Sequence, residues 1–171
     1  IWRGNIRFTP AALFAIGFVS LFISGGLTGI FLGNSTIDIH LHDTMFVVAH
    51  FHIVMGVASM FGMFAGVYHW FPKMFGRYMN NTLAYIHFWV TMVGAYLIFW
   101  PMHYQGLAGV PRRYLDKRGW VNFNQFGDLD KVITIVSIIV FIVQLVFVIN
   151  FLDRKSTRLN SSHVSESRMP S

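Results

Sequence analysis

Two histidines separated by a single residue are the side chains of this sequence best suited to chemistry. His50 and His52 lie in the uncharged run VVAHFH at positions 47–52. A helix has about 3.6 residues per turn, so side chains two positions apart point about 200° apart. One metal ion cannot bind both. If both are ligands, they bind two separate cofactors on opposite sides of one helix, with Phe51 between them, and imidazole is a common axial ligand of haem iron. Hydrogen bonds to neighbouring helices are the alternative role.

Four other histidines have simpler explanations, although the chain has no cysteine and its metal chemistry must therefore rest on histidine. We expect His40 to be a solvated loop residue. His69 and Trp70 have the character of an interfacial anchor. His87 and His103 lie in uncharged runs, where we expect them to form hydrogen bonds within a helix bundle.

Four long runs without Asp, Glu, Lys or Arg predict the elements that position these histidines. The runs cover residues 8–37, 44–72, 78–111 and 132–152. Each exceeds the roughly 20 residues that a helix needs to span a membrane, and each is apolar all round the helix. The chain is 54% hydrophobic and 12% charged, far from the roughly 25% charged that is typical of soluble domains. These features predict an all-α bundle of four transmembrane helices.

Small residues and charges indicate how the helices are arranged. Gly25, Gly29 and Gly33 follow one another at intervals of four, which predicts close packing of a neighbouring helix. By the positive-inside rule, the basic connection 72–81 and both chain ends are cytoplasmic. The loop 102–130 should then be external, yet it contains Arg112, Arg113, Lys117 and Arg118. Either the number of helices differs, or these cations have an anionic partner. Because membrane topology accounts for the net charge of +6, no nucleic-acid partner is expected.

The motifs DIHLHDTMFVVAHFH (38–52), HWFP (69–72) and PRRY (111–114) closely resemble subunit I of the haem-copper cytochrome c oxidases. The resemblance extends from about residue 4 to residue 154 and corresponds to the last four of that family's twelve transmembrane helices. It implies a fragment of the catalytic subunit of a terminal respiratory oxidase. The parent enzyme would transfer electrons from cytochrome c to oxygen, form water and translocate protons.

The same resemblance implies the cofactors, partners and location. The cofactors would be a low-spin haem a, a high-spin haem a3, copper B and a magnesium or manganese ion. The copper ligands would lie outside this fragment, which therefore cannot reduce oxygen alone. The partners would be oxidase subunits II and III, cytochrome c, oxygen and membrane lipid. A bacterial plasma membrane is expected rather than a mitochondrial inner membrane.

The resemblance also assigns the two histidines of the central motif. His50 corresponds to the proximal ligand of the high-spin haem, where oxygen is reduced, and is the catalytic residue of the fragment. His52 corresponds to an axial ligand of the low-spin haem. Helical geometry alone does not tell which histidine serves which haem.

Five further residues match polar positions of the family. His42 and Asp43 correspond to ligands of the magnesium or manganese ion at the contact with subunit II, and carboxylate oxygen suits such an ion. Asp38 corresponds to a carboxyl group near the propionates of the high-spin haem. Arg112 and Arg113 correspond to the pair that holds haem propionates, and these propionates would supply the anionic partner of the external loop.

Two alternatives concern the function, and one concerns the C-terminal segment. A quinol oxidase of the same superfamily would differ in its electron donor, although the His42–Asp43 pair favours cytochrome c. A haem-free transporter would use His50 and His52 as a proton relay. Residues 155–171 resemble a translated adaptor, so we divide the chain into an oxidase part, 1–154, and a non-native tail; a disordered cytoplasmic tail is the other interpretation.

Overall fold

A computed structural model describes residue 4 and residues 6–114 and 121–153. The helices are α1 (Pro10–Gly33), α2 (Ser35–Leu41), α3 (Met45–Phe51), α4 (Ala58–Phe75), α5 (Asn81–Leu107) and α6 (Gly127–Leu152). A π-helical turn, His52–Val57, joins α3 to α4, and a 3₁₀ helix, Val121–Phe126, precedes α6. The described residues do not include two of the cations expected in the external loop, Lys117 and Arg118. They also do not include the segment 155–171.

Four helical stretches are long and apolar enough to cross a membrane, which confirms the predicted all-α arrangement. They are Pro10–Gly33, Met45–Phe75, Asn81–Leu107 and Asn122–Leu152. The first begins where the side chain of Thr9 accepts a hydrogen bond from the Ala12 amide, with proline as the first helical residue. The second ends at Gly76, whose φ of 64° gives the left-handed cap that glycine adopts without strain.

The connection between the first two spans is helical, where a loop was expected. Asn34 begins α2 by accepting hydrogen bonds from the amides of Thr36 and Ile37. His40 is exposed, as expected, but it lies on this helix. The prediction of a loop residue was wrong because the Asn34 cap, placed directly after Gly33, starts a new helix.

An aromatic core joins α1, α4 and α5. Phe14 is fully buried, and its ring centroid lies 5.1 Å from that of Phe61, 5.5 Å from Phe64 and 5.2 Å from Phe88. Tilted and edge-on arrangements of this kind add attraction beyond the burial of apolar area. The core therefore fixes the three helices against one another.

A buried hydrogen-bond network connects α4, α5 and α6, and it confirms the role expected for His87. His87 Nδ1 lies 3.1 Å from the Tyr68 hydroxyl, and its Nε2 lies 3.1 Å from Gln144 Oε1. Since an amide oxygen only accepts, Nε2 carries the proton. The Gln144 amide nitrogen donates in turn to the Thr91 hydroxyl, at 3.1 Å.

Glycines create the closest helix contacts. A Cβ atom added at Gly25 would lie 2.7 Å from the Val54 side chain, and one at Gly29 would lie 2.9 Å from His50 Cε1. These two positions confirm the predicted close approach. The prediction was wrong for Gly33, which has open space around it. A further contact is tighter still, because a Cβ at Gly106 would overlap the backbone of Phe46.

Candidate functional site

The His50 side chain extends from α3 towards α1. Its Nδ1 lies 2.8 Å from the carbonyl oxygen of Gly25 and 2.9 Å from Thr28 Oγ1. A carbonyl oxygen only accepts, so Nδ1 carries the proton and Nε2 keeps its lone pair. Within the described ranges, no side chain or backbone group forms a hydrogen bond to this Nε2. The ring is thus held in the tautomer that can bind a metal ion.

His52 is held in the same tautomer by a different partner. Its Nδ1 lies 2.8 Å from the carbonyl oxygen of Val48, one turn earlier on α3. Its ring stacks on Phe99 of α5, with the centroids 5.5 Å apart and the planes 14° apart. His52 also opens the π-helical turn, a feature that occurs frequently at functional sites.

The two imidazoles point to different neighbours, as the helical spacing predicts. His50 contacts α1, whereas His52 contacts α5. Both rings are half-buried, and each presents an unprotonated Nε2. This arrangement can bind two separate metal centres, one on each side of the helix.

The structure brings together a second group of predicted residues at the start of α3. His42 Nδ1 lies 3.8 Å from a carboxylate oxygen of Asp38, and His42 Nε2 lies 3.5 Å from one of Asp43. Arg112 Nε donates to the other Asp43 oxygen at 2.6 Å, and a second guanidinium nitrogen pairs with the same atom. The hydrogen bond from Arg112 lowers the pKa of Asp43 below its usual 3.8.

Backbone pairing places the guanidinium beside the carboxylate. Segments 43–45 and 110–112 form a short antiparallel bridge with two hydrogen bonds of 2.9 Å. Asp43 has φ of 59° and Arg113 has φ of 69°, both in the left-handed region, which is strained for residues other than glycine. Such strain persists only where the surroundings hold it, and it clusters at functional sites.

The anionic partner that the sequence requires for Arg112 is present within the chain, in the form of Asp43. The neighbouring Arg113 is exposed and makes no ion pair with any described residue. In the part of the chain that the structure describes, no group of three or more His, Cys, Asp or Glu is arranged to hold a metal ion. His42 and Asp43 alone give an incomplete set, so a bound magnesium or manganese ion would need further ligands from water or another chain.

An apolar cavity of about 500 Å³ is lined in part by Thr28, whose hydroxyl group contacts His50. Its lining includes Thr28, Phe31, Phe46, Trp100, His103 and Leu107. His103 Nδ1 bonds to a carbonyl of its own helix, at 2.9 Å, and not to a neighbouring helix. Its Nε2 is buried and has no partner among the described residues. An apolar cavity that is lined by the His103 imidazole fits a large, flat, apolar cofactor.

Several residues of the site were missed in the sequence. Thr28 and Phe99, which contact His50 and His52, lie in spans that appeared uniformly apolar. Thr28 had a detectable signal, because it is a hydroxyl residue inside the glycine series GGLTG at 25–29. Phe99 had none, since aromatic residues are frequent throughout the chain.

The chain is similar to known proteins in sequence. The sequence model of the family described as "Cytochrome C and Quinol oxidase polypeptide I" matches residues 1–146. The chain is 52% identical, over 152 residues, to the "Alternative cytochrome c oxidase subunit 1" of Bradyrhizobium diazoefficiens, a match that covers 88% of this chain and 26% of the relative. It is 46% identical, over 143 residues, to the "Cytochrome c oxidase subunit 1" of Yarrowia lipolytica, covering 83% and 27%. The chain thus spans about a quarter of the length of these relatives.

A solved structure has the same fold. The structure of a heme-copper terminal oxidase dimer matches with a TM-score of 0.73 and 20% sequence identity, and the match covers 90% of this chain and 30% of that one. The helix arrangement is therefore similar to one segment of a much larger helical protein.

Proposed function

Because the chain belongs to the family of cytochrome c and quinol oxidase polypeptide I, we propose that it is part of the catalytic subunit of a terminal oxidase. It is an integral membrane protein with four spanning helices. The parent protein would transfer electrons from cytochrome c to oxygen, form water and translocate protons. One observation carries this proposal: His50 and His52 present unprotonated Nε2 atoms towards different sides of one helix.

In this proposal, His50 binds the iron of a high-spin haem and His52 binds the iron of a low-spin haem. Bound haems would supply electron transfer and the binding of oxygen. The chain itself orients the two ligands: Gly25 and Thr28 hold the first ring, and Val48 and Phe99 hold the second. Hydrogen bonding at the other ring nitrogen fixes the tautomer and raises the basicity of the ligating atom. In this proposal, the haems are of types a and a3. The ligands of copper B lie in the part of the relatives that this chain does not span.

The cluster around Asp43 has a supporting role in the same proposal. His42 and Asp43 would contribute two ligands to a magnesium or manganese ion at a contact with subunit II, and Asp38 would lie near the propionates of the high-spin haem. Arg112 and Arg113 would hold propionates, because a guanidinium can donate to a second carboxylate while it keeps one partner. The proposed partners also include subunit III and membrane lipid. A bacterial plasma membrane is supported by the 52% identity to the Bradyrhizobium protein, against 46% for the fungal one.

A quinol oxidase is the second candidate, since the description of the matching family covers both classes. The cytochrome c assignment is favoured by the names of the relatives and by the His42–Asp43 pair. Reduction of the complete complex by cytochrome c, compared with reduction by a quinol, distinguishes the two.

Reduced-minus-oxidised spectra and carbon monoxide binding of the complete oxidase test the haem assignment. We expect His50→Ala to abolish carbon monoxide binding and to leave the low-spin signal, and His52→Ala to remove the low-spin signal. His69→Ala is a matched control, because its ring is exposed near the end of α4. Equal loss of both signals in both variants, without misassembly, contradicts independent sites. A complex without any haem spectrum supports the proton-relay transporter instead.

A further inference from the structure

The hydroxyl group of Thr28 lies between the His50 imidazole and the Gly25 carbonyl. Thr28 Oγ1 is 2.9 Å from His50 Nδ1 and 2.6 Å from the Gly25 oxygen. The imidazole nitrogen is itself 2.8 Å from the same carbonyl oxygen. Three polar atoms therefore form a closed triangle inside an otherwise apolar contact between α1 and α3.

The available protons fix the direction of each hydrogen bond. The carbonyl oxygen can only accept, so Thr28 donates its hydroxyl proton to it at 2.6 Å. His50 Nδ1–H is the second donor, and the carbonyl oxygen and the hydroxyl oxygen share it. A hydroxyl that donates is a better acceptor, because hydrogen bonds in a chain polarise one another. Thr28 thus gives the Nδ1 proton a second, polarised acceptor beside the carbonyl.

Helix α1 presents these groups on a single face. Gly25, Thr28 and Gly29 occupy positions i, i+3 and i+4, which are neighbours on a helix surface. The missing side chain at Gly29 leaves the room that the imidazole occupies, since a Cβ there would lie 2.9 Å from its Cε1. One short segment therefore supplies a carbonyl group, a hydroxyl group and a gap for the ring.

We propose that Thr28 is a positioning residue for His50, and that its hydroxyl group strengthens electron donation from Nε2 to a bound haem iron. This inference rests on the proposed role of His50 as a haem ligand. The effect is specific to one of the two histidines, because His52 Nδ1 has a carbonyl partner, Val48, and no described residue contributes a hydroxyl group beside it. Substitution of Thr28 should therefore change one haem and leave the other unchanged.

Resonance Raman spectroscopy of the reduced, complete oxidase measures the iron–imidazole stretching band of the five-coordinate haem. Thr28→Val keeps the shape of the side chain and removes the hydroxyl group, so we expect the band to shift to lower frequency. Thr28→Ser keeps the hydroxyl group and should leave the band in place. Ser24→Ala is the matched control, because Ser24 also donates to a carbonyl three residues back on α1 but contacts Tyr96. The absorption of the low-spin haem should stay unchanged in all three variants.

The outcomes separate this inference from the proposed function. An unmoved band or an upward shift in Thr28→Val overturns the role of the hydroxyl group, and so does an equal shift in Thr28→Ser. If the valine variant does not assemble, Thr28→Ala must give the same downward shift. The His50→Ala variant tests the ligand itself: a band that persists there refutes the proposed function. A band lost in His50→Ala but unmoved in Thr28→Val refutes only the inference about Thr28.

Discussion

Replacement of Gly106 by alanine should disrupt the contact between α3 and α5. The new Cβ would lie 2.5 Å from Phe46 Cα and closer still to the Phe46 amide nitrogen. Ordinary contact begins at 3.4 Å, so the two helices would have to separate by about 1 Å. The obstructing atoms are backbone atoms, and a change of rotamer cannot move them aside.

The free-energy cost of this separation can be bounded. Overpacking of a well-packed core costs typically 1–3 kcal/mol when side chains can adjust, so we expect about 3 kcal/mol or more here. Each 1.4 kcal/mol is a factor of ten, which makes the change roughly a hundredfold in the population of the native packing. Phe46 also lines the apolar cavity that Thr28 and His103 line, so in the proposed function the haem environment should change together with stability.

The assay is thermal denaturation of the purified, complete oxidase, followed by haem absorption. Gly26→Ala is the matched control, since a Cβ at Gly26 meets nothing within 4 Å, and alanine favours a helix over glycine by about 1 kcal/mol. We expect a large loss of assembled, haem-containing complex for Gly106→Ala and none for Gly26→Ala. If Gly106→Ala assembles with unchanged absorption and thermal stability, the close approach of α3 and α5 is wrong.

Three further predictions concern other parts of the chain. Arg112→Met and Arg113→Met should each shift the haem reduction potentials, because a propionate without its cation is easier to protonate; redox titration measures this. The controls are Lys117→Met and Arg118→Met, and similar small shifts in all four variants would reduce the pair to part of a solvated basic loop. Gln144→Leu should leave the His87 Nε2 proton without an acceptor and destabilise the complex by about 1–3 kcal/mol, and an unchanged unfolding temperature would contradict this. Peptide mass spectrometry of the native protein should find no peptide from residues 155–171; its detection would refute the adaptor interpretation.

The membrane spans could be predicted from the sequence because a hydrocarbon environment excludes charge, and uninterrupted uncharged runs are therefore a direct record of it. The opposite orientation of His50 and His52 was also predictable, since the directions of the two side chains depend only on the regular geometry of one helical turn. The residue types and the geometry of a single helix sufficed for these two predictions, and no knowledge of neighbouring helices was needed.

The π-helical turn and the pairing of Arg112 with Asp43 could not be predicted in the same way. A π-helical turn changes which backbone groups pair, and apolar patterns contain no signal for that change. Arg112 is 69 positions from Asp43 along the chain, so their contact depends on how α3 and α5 pack. The hydroxyl of Thr28 was overlooked for a related reason, because its importance comes from a ring on another helix.

The left-handed backbone at Arg113 has a consequence for how this position evolves. A left-handed conformation costs a side-chain-bearing residue roughly 1–2 kcal/mol, whereas glycine adopts it readily. Mutation towards glycine would therefore relieve the backbone, and selection for stability alone would favour it. Arginine at this position, which is exposed among the described residues, therefore carries a backbone cost that glycine would not carry. Arg113→Gly should consequently relieve the backbone strain, while in the proposed function it removes a cation that holds a haem propionate.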